Sequence, residues 1–265
     1  MRAVQLHLYR NLHPRPDVGS PLILGIHGPA GEGKTYQTMS VLRYLGIEVV
    51  AVSGGLMESA DAGRPAEILR DSYQRASLLR AKNGTPSVLL VNDIDTAVGD
   101  WGPLVQTTVN RQIVLEELMN LADQPTEIDG RVVYRSPVIL TGNDFTKLYA
   151  PLTRYGRMTL FMWRPGVAER TPIIAAMFPE LTAAETAELV HQFSGEPVAF
   201  FAQLRPYLQE DAIWGYLKRI GARETLHDLL SGRAPEIRDN LSLDALLRAG
   251  SELRERHRLI NHLEA

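Results

Sequence analysis

At 265 residues, 45% hydrophobic and 22% charged, the chain can bury one large core or two smaller ones, and neither disorder nor membrane burial accounts for its composition. A formal net charge of -3 argues against a nucleic-acid partner held by bulk electrostatics. The absence of cysteine excludes disulfides, thiolate zinc sites and cysteine nucleophiles.

The opening MRAVQLHLYRNLHPRPDVG lacks an apolar h-region, and no run approaches a membrane span, so a cytoplasmic protein with no membrane partner is expected. Residues 1–20 are polar and punctuated by Pro14, Pro16 and Gly19, which suggests a lead-in segment. From Pro21 the pattern alternates. Short apolar runs at 22–27, 47–52, 88–92, 138–142 and 158–163 predict strands buried on both faces of a parallel sheet. Pro65 suits a first helical position, with Leu69, Tyr73 and Ala76 following at helical spacing, and a second helix is expected over about 104–122. This alternation predicts a doubly wound α/β domain over 21–165.

After Pro165 the strand signals stop. Thr182 with Glu185 reads as a capping box opening a helix over 182–193. Further helical stretches at about 197–209, 211–220 and 242–263 complete a small all-helical domain over 166–265. The seven histidines are scattered, and His257 and His262 do not share a helix face. Each histidine is expected at the surface or in a cap, not as a ligand.

The chemistry concentrates in Gly28-Pro29-Ala30-Gly31-Glu32-Gly33-Lys34-Thr35, which matches G-x-x-x-x-G-K-[ST] at every fixed position. Glycines let such a loop aim its amides at phosphate oxygens, and the following helix adds its positive end. Lys34 is expected to reach the β- and γ-phosphates of ATP and Thr35 to ligate Mg²⁺; Tyr36 is counted with this cradle. The run Val88-Leu-Leu-Val-Asn-Asp-Ile-Asp95 then supplies carboxylates at a strand end. Asn143 follows another strand, where its amide could orient a water beside the γ-phosphate. Arg154 and Arg157 flank Tyr-Gly ahead of the fifth strand and suggest fingers acting across a subunit boundary. Arg205, in the helical domain, could reach back.

Taken together these segments resemble the AAA+ ATPases, and among them the Rubisco activases of plants and cyanobacteria. The matching stretches include Pro-Leu-Ile-Leu-Gly-Ile-His-Gly (21–28), Gly-Glu-Gly-Lys-Thr (31–35), Asn-Asp-Ile-Asp (92–95), Glu58-Ser59 with Asp61-Ala62-Gly63, Leu118-Met-Asn-Leu-Ala-Asp-Gln-Pro-Thr126, and Thr141-Gly-Asn-Asp-Phe-Thr-Lys-Leu-Tyr-Ala-Pro-Leu152 followed by Gly156-Arg157-Met158. The resemblance implies a hexameric homo-oligomeric ring that hydrolyses ATP with Mg²⁺. Its pore loops would pull on the Rubisco large subunit until inhibitory sugar phosphates leave. It assigns Asn143 as sensor 1, Arg154 and Arg157 as trans fingers and Arg205 as sensor 2. The usual Asp-Glu pair is here Asn92-Asp93, a substitution the activases share, which leaves Asp93 as the polarising carboxylate and metal ligand.

Three features depart from that pattern. Val98-Gly-Asp-Trp-Gly-Pro103, where a pore loop is expected, carries Asp100 and Trp101 in place of a basic residue followed by acidic ones. Tyr155 stands where the family has Asp. The plant amino-terminal extension and an appended small-subunit-like domain are not expected. The alternatives are an activase-like AAA+ remodeller with a different client, a phage or carboxysome-related protein, and a nucleotide-gated assembly module that binds ATP and barely hydrolyses it.

Overall fold

A computed structural model of the chain describes residues 2–13, 20–57, 61, 63–100, 109–232 and 241–257. It divides into two compact units, Met1–Arg164 and Pro165–Ala265. The first unit contains strands β1 (Ile23–His27), β2 (Glu48–Ser53), β3 (Ser87–Asn92), β4 (Glu127–Ile128), β5 (Arg131–Val132), β6 (Val138–Gly142) and β7 (Met158–Met162). Its helices are α1 (Arg2–Leu12), α2 (Lys34–Tyr44), α3 (Arg64–Asn83), α4 (Ile94–Val98), α5 (Val109–Asp123) and α6 (Ala150–Thr153). Five strands form one parallel sheet in the order β2-β3-β6-β1-β7, so the expected doubly wound α/β architecture is observed.

The apolar runs are continuous because both sheet faces are covered. Ile23, Leu89, Val91, Val138 and Leu140 pack on one side with Leu69 and Tyr73 of α3 and Val114 and Leu118 of α5. Leu24, Ile26, Val88, Leu90 and Ile139 face the other side with Leu42 of α2 and Val4 and Leu8 of α1. Strand register aligns the carboxyl ends: His27 lies opposite Gly142 on β6 and Met162 on β7. Ligands of such sheets bind beyond those ends, where the strand order reverses.

The amino terminus corrects one expectation. The segment 1–20 contains helix α1, not only a polar lead-in. Val4 and Leu8 sit at i, i+4 and are both buried, with Leu12 half-buried in the same line and His7 and Asn11 buried beside them. Polar groups can line that face because they are bonded: His7 Nε2 donates to Val138 O at 3.1 Å and Asn11 Nδ2 to Pro21 O at 3.1 Å. Asn11 Nδ2 also approaches His7 Nδ1 at 3.3 Å, which fixes the tautomer. His7 is therefore a core residue and not a surface or capping one. Burial pulls its pKa down to about 4, with Arg135 and Arg10 adding to the effect.

The short β4–β5 hairpin was not expected, although Asp129-Gly130, both at positive φ, is a standard hairpin turn signal. Helix α5 is described over Val109–Asp123; residues 104–108 and 258–263 of two expected helices, Glu58-Ser59, Ala62 and positions 101–103 of the expected pore loop lie outside the described residues. The second unit is all helical among its described residues: α7 (Val167–Met177), α8 (Ala183–Gln192), α9 (Val198–Ile220), α10 (Ala222–Leu230) and α11 (Leu243–Arg256). The capping box is present, with Thr182 N donating to Glu185 Oε2 at 2.8 Å and Glu185 N to Thr182 Oγ1 at 3.3 Å. The helices expected at 197–209 and 211–220 are one, α9. The polar Glu210-Asp211 step lies on an exposed face, so it interrupts the apolar pattern without ending the helix. Ile174, Phe178, Leu189, Phe193, Phe201, Leu204 and Leu246 form this unit's core. No described helix is long and apolar enough to cross a membrane.

Candidate nucleotide site

The loop between β1 and α2 is built around positions a side chain could not fill. Gly28 adopts φ +148°, and a Cβ there would collide with the carbonyl oxygen of Trp163. Trp163, just past β7, fastens the loop at both ends: its backbone N donates to His27 O at 2.6 Å and its Nε1 to Glu32 O at 2.7 Å. Helix α2 then starts at Lys34 with Gly33 as its N-cap and no side chain capping it. A helix start of this kind presents backbone N–H groups and the positive end of the dipole to an anion.

Lys34 is 7% exposed. Its ammonium donates to Gly28 O, Pro29 O and Asn143 Oδ1, each at 2.9 Å. Burial lowers its pKa, opposed by the charges of Asp93, Asp95 and Glu32. Asn143, beyond β6, is tied at three further points. Its N–H donates to Asp95 Oδ2 at 2.8 Å, its carbonyl accepts from Gly28 N at 3.2 Å, and the next amide, of Asp144, also donates to Asp95 Oδ2 at 2.8 Å. Asp95 is fully buried. Gly142 must be glycine for this to fit, since a Cβ there would meet Asp95 Oδ1.

A second cluster adjoins. Thr141 Oγ1 lies 3.3 Å from Thr35 Oγ1, donates to Asn92 Oδ1 at 3.2 Å and accepts from Asp93 N at 3.3 Å. Asp93 is exposed and sits at φ 53°. A non-glycine residue in that conformation costs on the order of 1 kcal/mol or more and tends to mark functional sites. Thus Lys34, Thr35, Asp93 and Asn143 converge from three adjacent strand ends. Glu32 is buried, Pro29, Ala30 and Gly31 form an exposed rim, and Tyr36 is 71% exposed on the first turn of α2.

The residues fit a nucleoside triphosphate with a hard cation. The uncapped helix start and buried lysine suit phosphate, while the Thr35 hydroxyl and Asp93 carboxylate are the oxygen donors magnesium takes. No group of three His, Cys, Asp or Glu that could hold a metal occurs among the described residues. A cation here would therefore rely on phosphate oxygens and water for its other ligands.

The expected fingers differ in situation. Arg157 forks onto Asp123, with Nε donating to Oδ1 at 2.8 Å and Nη2 to Oδ2, and its Nη1 donates to Pro151 O at 2.9 Å. Arg154 is 60% exposed at its side chain and stands 4.0 Å from Asp123. Arg205, on α9, belongs to the second unit, where it donates to both oxygens of Glu180 at 2.8 Å and lies over the Phe178 ring. Thr141, Trp163 and the inward role of Asp95 were not singled out from sequence. Only Asp95 carried a signal, two residues beyond Asp93.

The family model described as "ATPase family associated with various cellular activities (AAA)" matches residues 24–165. The chain belongs to the AAA family. The matched AAA span contains Lys34, Thr35, Asp93, Asn143, Arg154 and Arg157 and excludes Arg205. The chain is also similar to several curated relatives. A ribulose bisphosphate carboxylase/oxygenase activase of Anabaena sp. is 40% identical over 224 residues, covering 82% of this chain and 54% of that protein. The namesake of Nostoc sp. is 38% identical over 257 residues, covering 93% and 62%. The chloroplastic one of Chlamydomonas reinhardtii is 35% identical over 258 residues, covering 94% and 63%. This AAA chain thus spans between about half and two thirds of the length of the relatives it matches.

Proposed function

We propose that this chain is an ATP-driven AAA+ motor that works as a homo-oligomeric, hexameric ring and acts as a Rubisco activase, releasing inhibitory sugar phosphates from Rubisco. The observation that carries the ATPase reading is the 2.9 Å bond from Lys34 Nζ to Asn143 Oδ1, beside the strained Asp93. It brings a buried cation, a water-orienting amide and a carboxylate to one point. The client reading is supported by 35–40% identity, over most of the chain, to proteins named as that activase.

Bound ATP supplies the γ-phosphoryl group, and its Mg²⁺ neutralises charge on the phosphates. The chain's own residues do the rest. Lys34 exchanges its carbonyl partners for phosphate oxygens. Thr35 and Asp93 would hold the cation. The Asn143 amide positions an attacking water, and the Asp93 carboxylate polarises it. Arg154 of a neighbouring copy adds positive charge from outside, a contribution of about a thousandfold or more in rate. Arg205 follows as the sensor of the helical unit.

The test is reactivation of sugar-phosphate-inhibited Rubisco from the source organism, with ATP and without. ATP-dependent recovery of carboxylation supports the reading. ATP hydrolysis without recovery would select a remodeller with another client. No hydrolysis at all would refute the motor.

A further inference from the structure

We propose that Asp123 is a positioning residue: it clamps Arg157 so that the turn at 154–157 presents Arg154 as the single finger. The proposal rests on the trans-finger reading above and divides between two arginines a role that the sequence treats as shared.

Arg157 is spent within its own subunit. Its three guanidinium nitrogens each have an acceptor, two on Asp123 and one on Pro151 O, and its side chain is 14% exposed. A planar fork on a carboxylate is the most directional ion pair available to a side chain. The pair shifts both groups in the expected sense, with hydrogen bonding to Arg157 holding the Asp123 pKa below the usual carboxylate range and raising that of Arg157. To reach a neighbour's phosphate, Arg157 would have to break all of these bonds at once.

The clamp is rigid on both sides. Asp123 is the last residue of α5, where the helix dipole disfavours a carboxylate unless a cation faces it. Helix α5 is held along its length: Arg70 forks onto Glu117 in its middle at 3.2 and 2.7 Å, and Tyr73 Oη donates to Pro125 O, two residues past its end, at 2.7 Å. On the other side, Arg157 O accepts from Ile23 N at the start of β1 at 3.2 Å. Arg157 N and Met158 N both donate to Arg154 O at 3.3 Å, which closes a tight turn through Gly156 at φ 90°. At its tip Tyr155 is fully exposed and the Arg154 side chain is 60% exposed. Asp123 takes up the Arg157 fork, while Arg154 only grazes the same carboxylate at 4.0 Å with its side chain 60% exposed, so the turn offers one accessible positive charge, on Arg154.

The Asp123 side chain is 44% exposed and takes no part in the apolar core, so removing it should leave the subunit folded. A finger displaced by about 1 Å, however, can lose about a hundredfold in rate. The experiment measures ATP turnover of Asp123→Ala, Arg154→Ala and Lys34→Ala proteins alone and in pairwise mixtures, with mixed rings verified by co-purification. Asp123→Ala alone is expected to lose at least about tenfold in kcat, with KM changed by less than about twofold. Mixing it with Lys34→Ala should restore turnover, because some interfaces then join an intact cradle to an intact finger. A defect confined to the variant's own cradle would not be rescued this way. Asp123→Glu, which retains the carboxylate, should keep part of the activity. Turnover of Asp123→Ala within twofold of wild type would overturn the proposal. So would mixtures with Lys34→Ala that stay at background while Arg154→Ala/Lys34→Ala mixtures recover. If the Arg154→Ala mixtures also fail in verified mixed rings, the trans reading itself falls, and the proposal with it.

Discussion

Replacing Asp95 with alanine removes the one carboxylate oxygen to which the amides of Asn143 and Asp144 both donate at 2.8 Å. The residue is fully buried and lies between the ends of β3 and β6. A hydrogen bond to a charged group is worth about 1.5–3 kcal/mol, so the two together represent about 3–6 kcal/mol. That is a large fraction of the roughly 5–15 kcal/mol that holds a domain folded. Asparagine keeps an acceptor oxygen for these amides, so Asp95→Asn should cost only about 1–2 kcal/mol. Function should suffer beyond stability. Asn143 is the partner of Lys34 Nζ, and a shift of about 1 Å in its loop can cost about a hundredfold in turnover. Urea unfolding of the wild type and both variants, with ATP turnover and nucleotide affinity on the same samples, measures both effects. An Asp95→Ala protein with an unchanged urea midpoint and turnover within twofold of wild type would refute this account of how Asn143 is placed.

Three further outcomes are expected. Asp93→Asn should leave nucleotide affinity within a few-fold while turnover falls at least about a hundredfold, as phosphoryl transfer depends on positioned charge; equilibrium binding and phosphate release measure the two separately. Gly28→Ala should abolish nucleotide binding, because the new Cβ would displace Trp163, and titration with a fluorescent ATP analogue reads the loss. His7 has its pKa lowered to about 4, so below pH 6.5 the unfolded chain takes up a proton that the folded state refuses. Stability is unaffected above pH 6.5 and falls as pH drops from 6.5 toward 4, by up to about 3 kcal/mol. Thermal melts across that range should show the loss, and His7→Gln should show less of it.

The parts of the molecule that were legible in its sequence are those whose physics is local. β1, β3 and β6 are built on short apolar runs, the glycine-rich loop 28–35 has fixed spacing, and the Thr182–Glu185 box lies within one helical turn. Helix α1 was not legible although Val4, Leu8 and Leu12 recur at i, i+4 and i+8, because polar His7 and Asn11 share that face and are satisfied only by bonds to Val138 and Pro21 that the fold creates. Asp95 and Asp93 are both acids after an apolar strand, and nothing in their spacing tells which one turns inward. The two arginines 154 and 157 read alike for a similar reason. What separates them is Asp123, 34 residues before Arg157, brought there by α5.

The central claim is that strand ends β1, β3 and β6 build one phosphate site around Lys34 for ATP turnover. Steady-state phosphate release from ATP by the wild type and by Lys34→Ala, each with and without magnesium, tests it most directly. Magnesium-dependent turnover is expected in the wild type, with loss to background in Lys34→Ala. Turnover in Lys34→Ala above a tenth of the wild-type rate would contradict it.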